Sequence, residues 1–256
     1  MNESNTRPIL LTGVTGLIGR HVLYELLREQ IESGVEQPIF VTIRPGDMPA
    51  DDRLRELLQD GARPSYLARH TVDSLAQRVR VLEVDLIDER LREFVEAHVG
   101  DGCYVIHSAA STNLAPSEDA EEEIKFGVLG ATNNLLDAVK DKAGKFVYIG
   151  TSFATGAVAG TIDDDYFALQ TGDARNHYER AKLQTEAHLR SYCEDHGMEW
   201  QILRPSVVCG RLLDAPLHYM SKFDVFYGFG KFFKRVVEAG CEDRGCQEAG
   251  RQGSQR

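Results

Sequence analysis

Short apolar runs alternate with stretches of helical periodicity over most of the chain. The first run leads into an apolar helical stripe formed by Ile18, Val22, Leu23, Leu26 and Leu27. Because strands alternate with helices, the pattern predicts an α/β fold, a doubly wound parallel sheet with right-handed crossovers and helices on both faces. The six predicted strands span residues 9–12, 38–44, 78–86, 103–107, 145–149 and 200–210.

Three glycines follow the first strand at a spacing that suits a tight turn before a helix. Gly13 permits a turn that is closed to side chains, and Gly16 allows backbone amides to approach a pyrophosphate. Gly19 lets the new helix pack against the preceding strand. The helix start presents unpaired N–H groups to phosphates, so the turn predicts a dinucleotide site. The competing interpretation is a glycine loop that joins any strand to any helix.

The end of the second strand bears on the choice of cofactor. An acidic residue near this position holds the ribose 2′-hydroxyl of NAD, whereas Arg44 suits a 2′-phosphate. The sequence therefore favours NADP over NAD. Asp47 close by keeps NAD as an alternative, and a solvated arginine that begins a loop is the simpler interpretation of Arg44.

Two further strand ends offer cofactor contacts, because ligands of doubly wound sheets bind beyond the carboxyl ends of the strands. Asp85 and Leu86 end the third strand, where the carboxylate accepts from an adenine amino group or caps the next helix. Small residues that include Ala109 and Ala110 follow the fourth strand and leave space for a cofactor. His107 at the end of that strand is interpreted as a structural residue and not as a general base.

A helix predicted over 176–197 places Tyr178 and Lys182 on one face, four residues apart. A phenol titrates near pH ~10, and a lysine ammonium close by favours the phenolate. A hydroxyl on Thr151 or Ser152, after the fifth strand, holds the substrate oxygen. The constellation predicts proton transfer through Tyr178 beside a nicotinamide, with Lys182 also bonded to the cofactor ribose.

Composition limits the partners and the compartment. The 256 residues are 42% hydrophobic and 27% charged, as in a globular protein with one substantial core. A net charge of -11 argues against nucleic acid as the main partner. No apolar run reaches the ~18 residues of a membrane span, and the opening MNESNTRP is not a signal peptide, so a cytoplasmic location is expected. The cysteines lack metal-ligand spacing, and three are expected to be buried and reduced: Cys103, Cys193 and Cys209.

Together these pieces resemble the extended short-chain dehydrogenase/reductases, a family of NAD(P)-binding Rossmann proteins. The matching segments are TGVTGLIG at 12–19, VDL at 84–86, HSAAS at 107–111, YIGTSFATG at 148–156, YERAK at 178–182 and LRPSVVCG at 203–210. The resemblance implies that Tyr178 and Lys182 are the catalytic pair, with Thr151 a better match than Ser152 for the hydroxyl. It also implies cofactor contacts from Gly13, Thr15, Gly16, Leu17, Ile18, Gly19, Arg44, Asp85, Leu86, Ala109, Ala110, Tyr178, Lys182 and Pro205.

Within the family, two variable segments are most similar to the branch of fatty acyl-CoA reductases and thioester reductases. They are VTIRPGDMPADDRLRELL, which begins at Val41, and KFDVFYGFGKFF, which begins at Lys222. The resemblance implies an NADPH-dependent oxidoreductase that reduces a carbonyl or acyl thioester substrate. The alternatives are an NAD-dependent nucleotide-sugar epimerase or dehydratase, and a non-catalytic NAD(P)-binding module. Family members often dimerise through two helices, which here correspond to 120–140 and 176–196.

Two departures from the family pattern make the non-catalytic alternative plausible. Gly127 precedes Gly130 where the family commonly has an asparagine. Extended members also continue further past the sixth strand to build a substrate domain. We expect a cofactor domain over 1–211, a partial substrate region over 212–240 and a disordered tail over 241–256.

Overall fold

The computed structural model describes residues 6–59, 61, 63–113, 117–157, 160–163, 174–219 and 230–238. The strands, in chain order, are β1 (Ile9–Thr12), β2 (Ile39–Ile43), β3 (Val79–Glu83), β4 (Cys103–His107), β5 (Ala143–Ile149) and β6 (Glu199–Leu203). The main helices are α1 (Leu17–Ser33), α2 (Ala50–Gln59), α3 (Val72–Ala76), α4 (Leu91–His98), α5 (Glu118–Ile124), α6 (Ala131–Val139) and α7 (His177–Asp195).

The six strands form one parallel sheet in the order β3-β2-β1-β4-β5-β6. The chain adds β2 and β3 on one side of β1 and then returns to add β4, β5 and β6 on the other side. Because the direction reverses, the crossover helices cover both faces of the sheet. On one face, called the α1 face, Leu11 and Val41 pack in a cluster with Leu58 of α2. On the other, the α6 face, Phe146 packs in a cluster with Leu189 of α7. The predicted doubly wound α/β fold is confirmed, and all strands end along one carboxyl edge.

The polar stretch 45–80 contributes buried side chains to the core. Helix α2 buries Leu54, Leu57 and Leu58, and a 3-10 turn at Ser65–Leu67 buries its last residue. These leucines recur at helical spacing among charged residues, so one narrow apolar stripe packs against the α1 face. This part of the segment therefore belongs to the core and not to the surface alone.

The helix predicted over 120–140 changes geometry in its middle. A π-helical turn at Lys125–Gly130 separates α5 from α6. A Cβ on Gly127 would lie 3.2 Å from the Ser111 Cβ, so glycine permits a close approach to the residues that follow β4. Two glycines with low helix propensity and this close contact account for the local change.

The cysteines and the carboxyl-terminal segments complete the comparison with the sequence. Cys103 and Cys193 are buried, but Cys209 is exposed in the irregular stretch after β6, so the expectation for Cys209 is wrong. Residues 220–229 and the predicted tail over 241–256 lie outside the described residues. Within the described ranges, no helix is both long and apolar enough to cross a bilayer.

Candidate functional site

The glycine turn after β1 packs its backbone against the residues that follow β4. Gly13 has a φ of 77°, and a Cβ there would lie 2.6 Å from the Ala109 nitrogen. A Cβ on Gly19 would clash with the Gly13 carbonyl oxygen. Only glycine fits at both positions, because the turn is left-handed at the first and the helix starts directly behind it at the second.

The start of α1 faces the carboxyl edge. Gly16 is the N-cap, with extended backbone, and no side chain caps this end of the helix. Thr15 and Gly16 are exposed, whereas Leu17 and Ile18 are half-buried. The amides of the first turn and the helix dipole suit an anion such as a pyrophosphate. The structure therefore brings the predicted residues of the turn together.

A buried histidine joins β1, β4 and α6 directly beneath this turn. The Thr12 hydroxyl donates to His107 Nδ1 at 2.7 Å, and His107 Nε2 donates to Thr132 Oγ1 at 3.0 Å. Thr12 Oγ1 also accepts from the amides of Ser108 and Ala109, each at 3.2 Å. These partners assign the neutral tautomer protonated on Nε2. Complete burial lowers the pKa of His107 to about 3, which agrees with its predicted structural role.

Tyr178 and Lys182 project from the first turns of α7 toward the ends of β4 and β5. Tyr178 and Ala110 pack against one buried cluster, formed by Ile124, Val128 and Ala181. Lys182 Nζ donates to the Ile149 carbonyl oxygen at 3.1 Å. The ammonium lies 4.6 Å from the ring centroid of Tyr148 and 5.8 Å from that of Tyr178. The structure therefore brings the predicted pair to the same edge as the glycine turn.

Burial sets the pKa values of this pair. It raises the pKa of Tyr178 to about 12 and lowers the pKa of Lys182 to about 8. That the lysine favours the phenolate stays a prediction, since Nζ is bonded to the Ile149 carbonyl oxygen and burial is the cause of the raised pKa of the phenol. The phenol is neutral at pH 7, as a proton donor must be, although the raised pKa makes it a weaker acid than a free tyrosine.

A buried ion pair lies one helical turn beyond Lys182, and the sequence analysis missed it. Glu186 Oε2 accepts from Arg204 Nε at 2.9 Å and Nη2 at 2.8 Å. Burial raises the pKa of Glu186, and the bonds from Arg204 oppose that rise. The Glu186 charge in turn raises the pKa of Lys182 against the larger effect of burial. The sequence does indicate that Glu186 shares a face of α7 with the predicted pair, because Tyr178, Lys182 and Glu186 follow at four-residue steps.

Two hydroxyl groups lie at the end of β5, where it is bonded to the chain leaving β6. Thr151 is buried, and its Oγ1 accepts from the Phe153 amide at 3.3 Å, which leaves the hydroxyl proton able to donate. Ser152 is exposed, and its amide donates to the Pro205 carbonyl oxygen at 2.9 Å. Both hydroxyls are thus close in the chain to the carbonyl that holds Lys182.

A cavity of about 480 Å³ opens beyond the ends of β2 and β3. Arg44 and Asp85, both predicted as cofactor contacts, lie in its wall together with Arg53 of α2. Arg53 Nη1 donates to the Arg44 carbonyl oxygen at 2.6 Å, which fixes the second guanidinium over the same loop. Two guanidiniums suit a phosphate dianion, although Asp47 and Glu56 make the lining mixed in charge.

Asp85 and Leu86 serve different parts of the structure. Asp85 Oδ1 accepts from the Ile87 amide at 3.2 Å, and α4 begins only at Leu91, so the alternative of a helix cap is wrong. The Leu86 side chain is buried in the core of the α6 face, and its carbonyl oxygen accepts from Asn134 Nδ2 at 2.7 Å. The structure therefore brings Asp85, and not the Leu86 side chain, to the cavity.

The sequence pattern of an NAD-binding family described as male sterility protein matches residues 11–244, and the chain belongs to this family. A hybrid PKS-NRPS synthetase, pvhA, from Talaromyces variabilis is 26% identical over 223 residues, which are 83% of this chain and 5% of the synthetase. The match confirms the resemblance to extended short-chain dehydrogenase/reductases of the thioester reductase-like branch, whose members are NAD(P)-dependent enzymes.

Solved structures share the fold. A thiolation-reductase di-domain from an archaeal non-ribosomal peptide synthetase has a TM-score of 0.68 and 22% identity, over 92% of this chain and 60% of that one. The terminal R domain of the myxalamid PKS-NRPS pathway has a TM-score of 0.65 and 20% identity, over 82% of this chain and 50% of that one. UDP-glucuronic acid 4-epimerase from Bacillus cereus, solved with NAD, has a TM-score of 0.61 and 21% identity, over 91% of this chain and 63% of that one. This chain thus spans about 50–63% of these structures.

Proposed function

We propose that this chain is the NADPH-binding and catalytic part of a reductase that acts on a carbonyl or acyl thioester group. The observation that carries the proposal is the position of two consecutive residues after β4. Ala109 lies against Gly13 of the glycine turn, and Ala110 packs against the same buried cluster as Tyr178. A short segment after β4 therefore links the proposed phosphate site to the cluster on which the proposed acid packs.

The shape and charge of the carboxyl edge fit NADPH. The open amides at the start of α1 bind the pyrophosphate, and the exposed Thr15 and Gly16 leave that approach clear. Arg44 and Arg53 bind the 2′-phosphate in the cavity beyond β2, whereas NAD offers these guanidiniums no such partner. Asp85, in the same wall, accepts from the adenine amino group.

Tyr178 acts as the proton donor in this proposal. NADPH, when bound, supplies the hydride for the substrate carbon. Tyr178, which is protonated at neutral pH, passes its phenolic proton to the substrate oxygen. The Lys182 ammonium stabilises the charge that the phenol is left with, and the Thr151 hydroxyl donates to the same substrate oxygen.

An acyl thioester is the substrate class that we favour. The curated relative is a hybrid PKS-NRPS synthetase, and the similar structures include a thiolation-reductase di-domain. The pairing of thiolation with reduction in that protein supports a thioester substrate for this chain.

We also propose a homodimer through α5, α6 and α7, where Phe126 is 61% exposed. Light scattering of the purified chain tests this dimer.

NADPH oxidation with a panel of acyl-CoA thioesters and aldehydes tests the reaction. Tyr178→Phe is expected to reduce turnover by about 10²–10⁴-fold and to leave NADPH affinity largely intact. Tyr192→Phe is the matched control, because Tyr192 lies further along α7 and its hydroxyl donates to Asp137. Unchanged turnover in Tyr178→Phe contradicts the acid role. NADPH binding without oxidation by any substrate favours a binding module, and conversion of nucleotide sugars with NAD favours the epimerase alternative.

A further inference from the structure

An apolar groove remains on the α1 face between α1 and the last strands of the sheet. It has a volume of about 890 Å³ and is lined by Val22 and Leu26 of α1 and by Ile149 and Leu203 of β5 and β6. Leu203 is 42% exposed. The neighbouring strand residues Tyr148 and Ile202 point to the α6 face, where α7 covers them. Over β5 and β6, the described residues thus cover the α6 face with a helix and leave the α1 face open.

A second apolar surface in the same chain is equally open. Residues 230–238 are helical, and four apolar side chains lie on one side of this helix at spacings of one, four and five residues. They are exposed to between 51% and 63%: Phe232, Phe233, Val236 and Val237. The charged residues lie on the other side, and Lys234 Nζ is 3.7 Å from Glu238 Oε1. An amphipathic helix of this kind is stabilised chiefly by burying its apolar side.

The chain that leaves β6 leads toward the groove. Arg211 Nη2 lies 3.1 Å from His21 Nε2 of α1, and Arg20 Nη1 donates to the Tyr219 hydroxyl at 2.5 Å. The segment 211–219 therefore lies along the start of α1, beside the groove. Residues 220–229 can span up to about 33 Å when extended, whereas α1 advances only about 14 Å from Arg20 to Glu29.

We propose that the helix 230–238 docks in this groove within the same chain, with its apolar side on α1, β5 and β6. The attachment of the chain favours this occupant, because Arg211 and Tyr219 bind to the start of α1 and residues 220–229 are long enough to bring the helix to the groove. Docking covers two apolar surfaces at once and completes the second layer over β5 and β6. The inference concerns folding and is independent of the proposed reaction.

Cross-linking in the full chain tests the docking. The background replaces the exposed Cys209, and Cys241 and Cys246, by serine, and a short bifunctional thiol reagent is used. Leu26→Cys with Val236→Cys is expected to cross-link within one chain about tenfold more than Leu26→Cys with Arg235→Cys, since only the first pair faces the groove. Equal cross-linking of both pairs overturns the proposal. Cross-links that join two chains also overturn it, because the helix then docks on a second copy.

A pair of charge substitutions gives a second, independent measurement. Val236→Asp is expected to lower Tm by about 3–6 °C and to increase binding of an apolar dye, because it places a carboxylate in the groove. Arg235→Asp introduces the same group on the polar side and is expected to leave dye binding unchanged. An unchanged Tm and dye signal in Val236→Asp contradict the docking. Both measurements are made without NADPH, so failure of the proposed reaction leaves their interpretation intact.

Discussion

The two ends of the carboxyl edge use charge in opposite ways. Beyond β2 and β3, Arg44 is exposed at an open cavity, where a charge keeps its hydration until a ligand arrives. Beyond β4 and β5, Lys182 and Glu186 are almost fully buried and already meet protein partners. An exposed charge costs little in stability and serves binding. A buried charge destabilises the fold, and the same loss of hydration shifts the pKa of the group.

Removal of the buried ammonium tests this difference most strongly. Lys182→Met is expected to lower turnover by about 10²–10⁴-fold, because the proposed acid loses its neighbouring charge. The same variant is expected to be more stable than the wild type at pH 7. The fall in the pKa of Lys182 from 10.5 to about 8 corresponds to a penalty of about 3 kcal/mol, reduced by the lost bond to Ile149.

The sign of the pH dependence separates this penalty from a packing effect. Between pH 8 and 10.5 the unfolded lysine is protonated and the folded lysine is not, so wild-type stability gains with rising pH from this group. The stability advantage of Lys182→Met is therefore expected to shrink as pH rises through that window. Urea unfolding of both proteins measures it, and a pH-independent difference would refute the electrostatic cause.

Substitution of His107 tests how much a buried, uncharged polar side chain contributes to stability. His107→Leu leaves the hydroxyls of Thr12 and Thr132 without their ring partner, which costs about 2–4 kcal/mol of unfolding free energy. His98→Leu, at an exposed position of α4, is the control. NADPH affinity is expected to fall as well, since Thr12 fixes the amides of Ser108 and Ala109.

Acid weakens this contribution in a defined direction. The pKa of His107 is lowered from 6.5 to about 3, so the unfolded chain binds an extra proton between these values and stability from this group falls as pH falls. The difference in unfolding free energy between wild type and His107→Leu should therefore narrow below pH 6.5. A difference that widens in acid is the contrary result.

Neutralising Glu186 tests whether its charge raises the pKa of Lys182. Glu186→Gln removes the charge that raises the pKa of Lys182, so that pKa falls below about 8. If turnover needs the ammonium, its alkaline limb moves to lower pH by about one unit. Glu194→Gln, exposed on α7 and paired with Arg190, is the matched control. An alkaline limb that stays in place shows that Glu186 serves only to hold Arg204.

The smallest effect on function is expected at the cavity beyond β2 and β3. Arg53→Ala removes one of two guanidiniums from the cavity and is expected to weaken NADPH binding by about tenfold, with NADH binding unchanged. Arg55→Ala on the same helix is the control, because Arg55 pairs with Asp73 and lies outside the cavity wall. Equal losses for NADPH and NADH would place the effect elsewhere than the 2′-phosphate.

Local signals account for what the sequence predicts well. Continuous apolar runs predict the buried strands, and the glycine spacing predicts the turn, because both depend on neighbours in the chain. The four-residue step likewise predicts that Tyr178 and Lys182 share a face. The family resemblance added the preference for Thr151 over Ser152 and the order of the motifs.

Contacts between distant segments account for the remainder. The bond from Arg204 to Glu186 and the position of Arg53 over the loop of Arg44 depend on packing that spacing does not encode. The pKa of Tyr178 rises because burial outweighs the charge nearby, an outcome that needs the folded environment. The π-helical turn arises where Gly127 meets Ser111, again across separate elements.

Titration of the purified chain with NADPH and with NADH, followed by fluorescence, tests whether the cavity beyond β2 binds the 2′-phosphate. We expect tighter binding of NADPH, by about 10–100-fold, and loss of that preference in Arg44→Asp. Equal affinity for both cofactors, or a preference that survives in Arg44→Asp, would contradict the assignment of the cavity beyond β2. Binding of neither cofactor would contradict the whole assignment of the carboxyl edge.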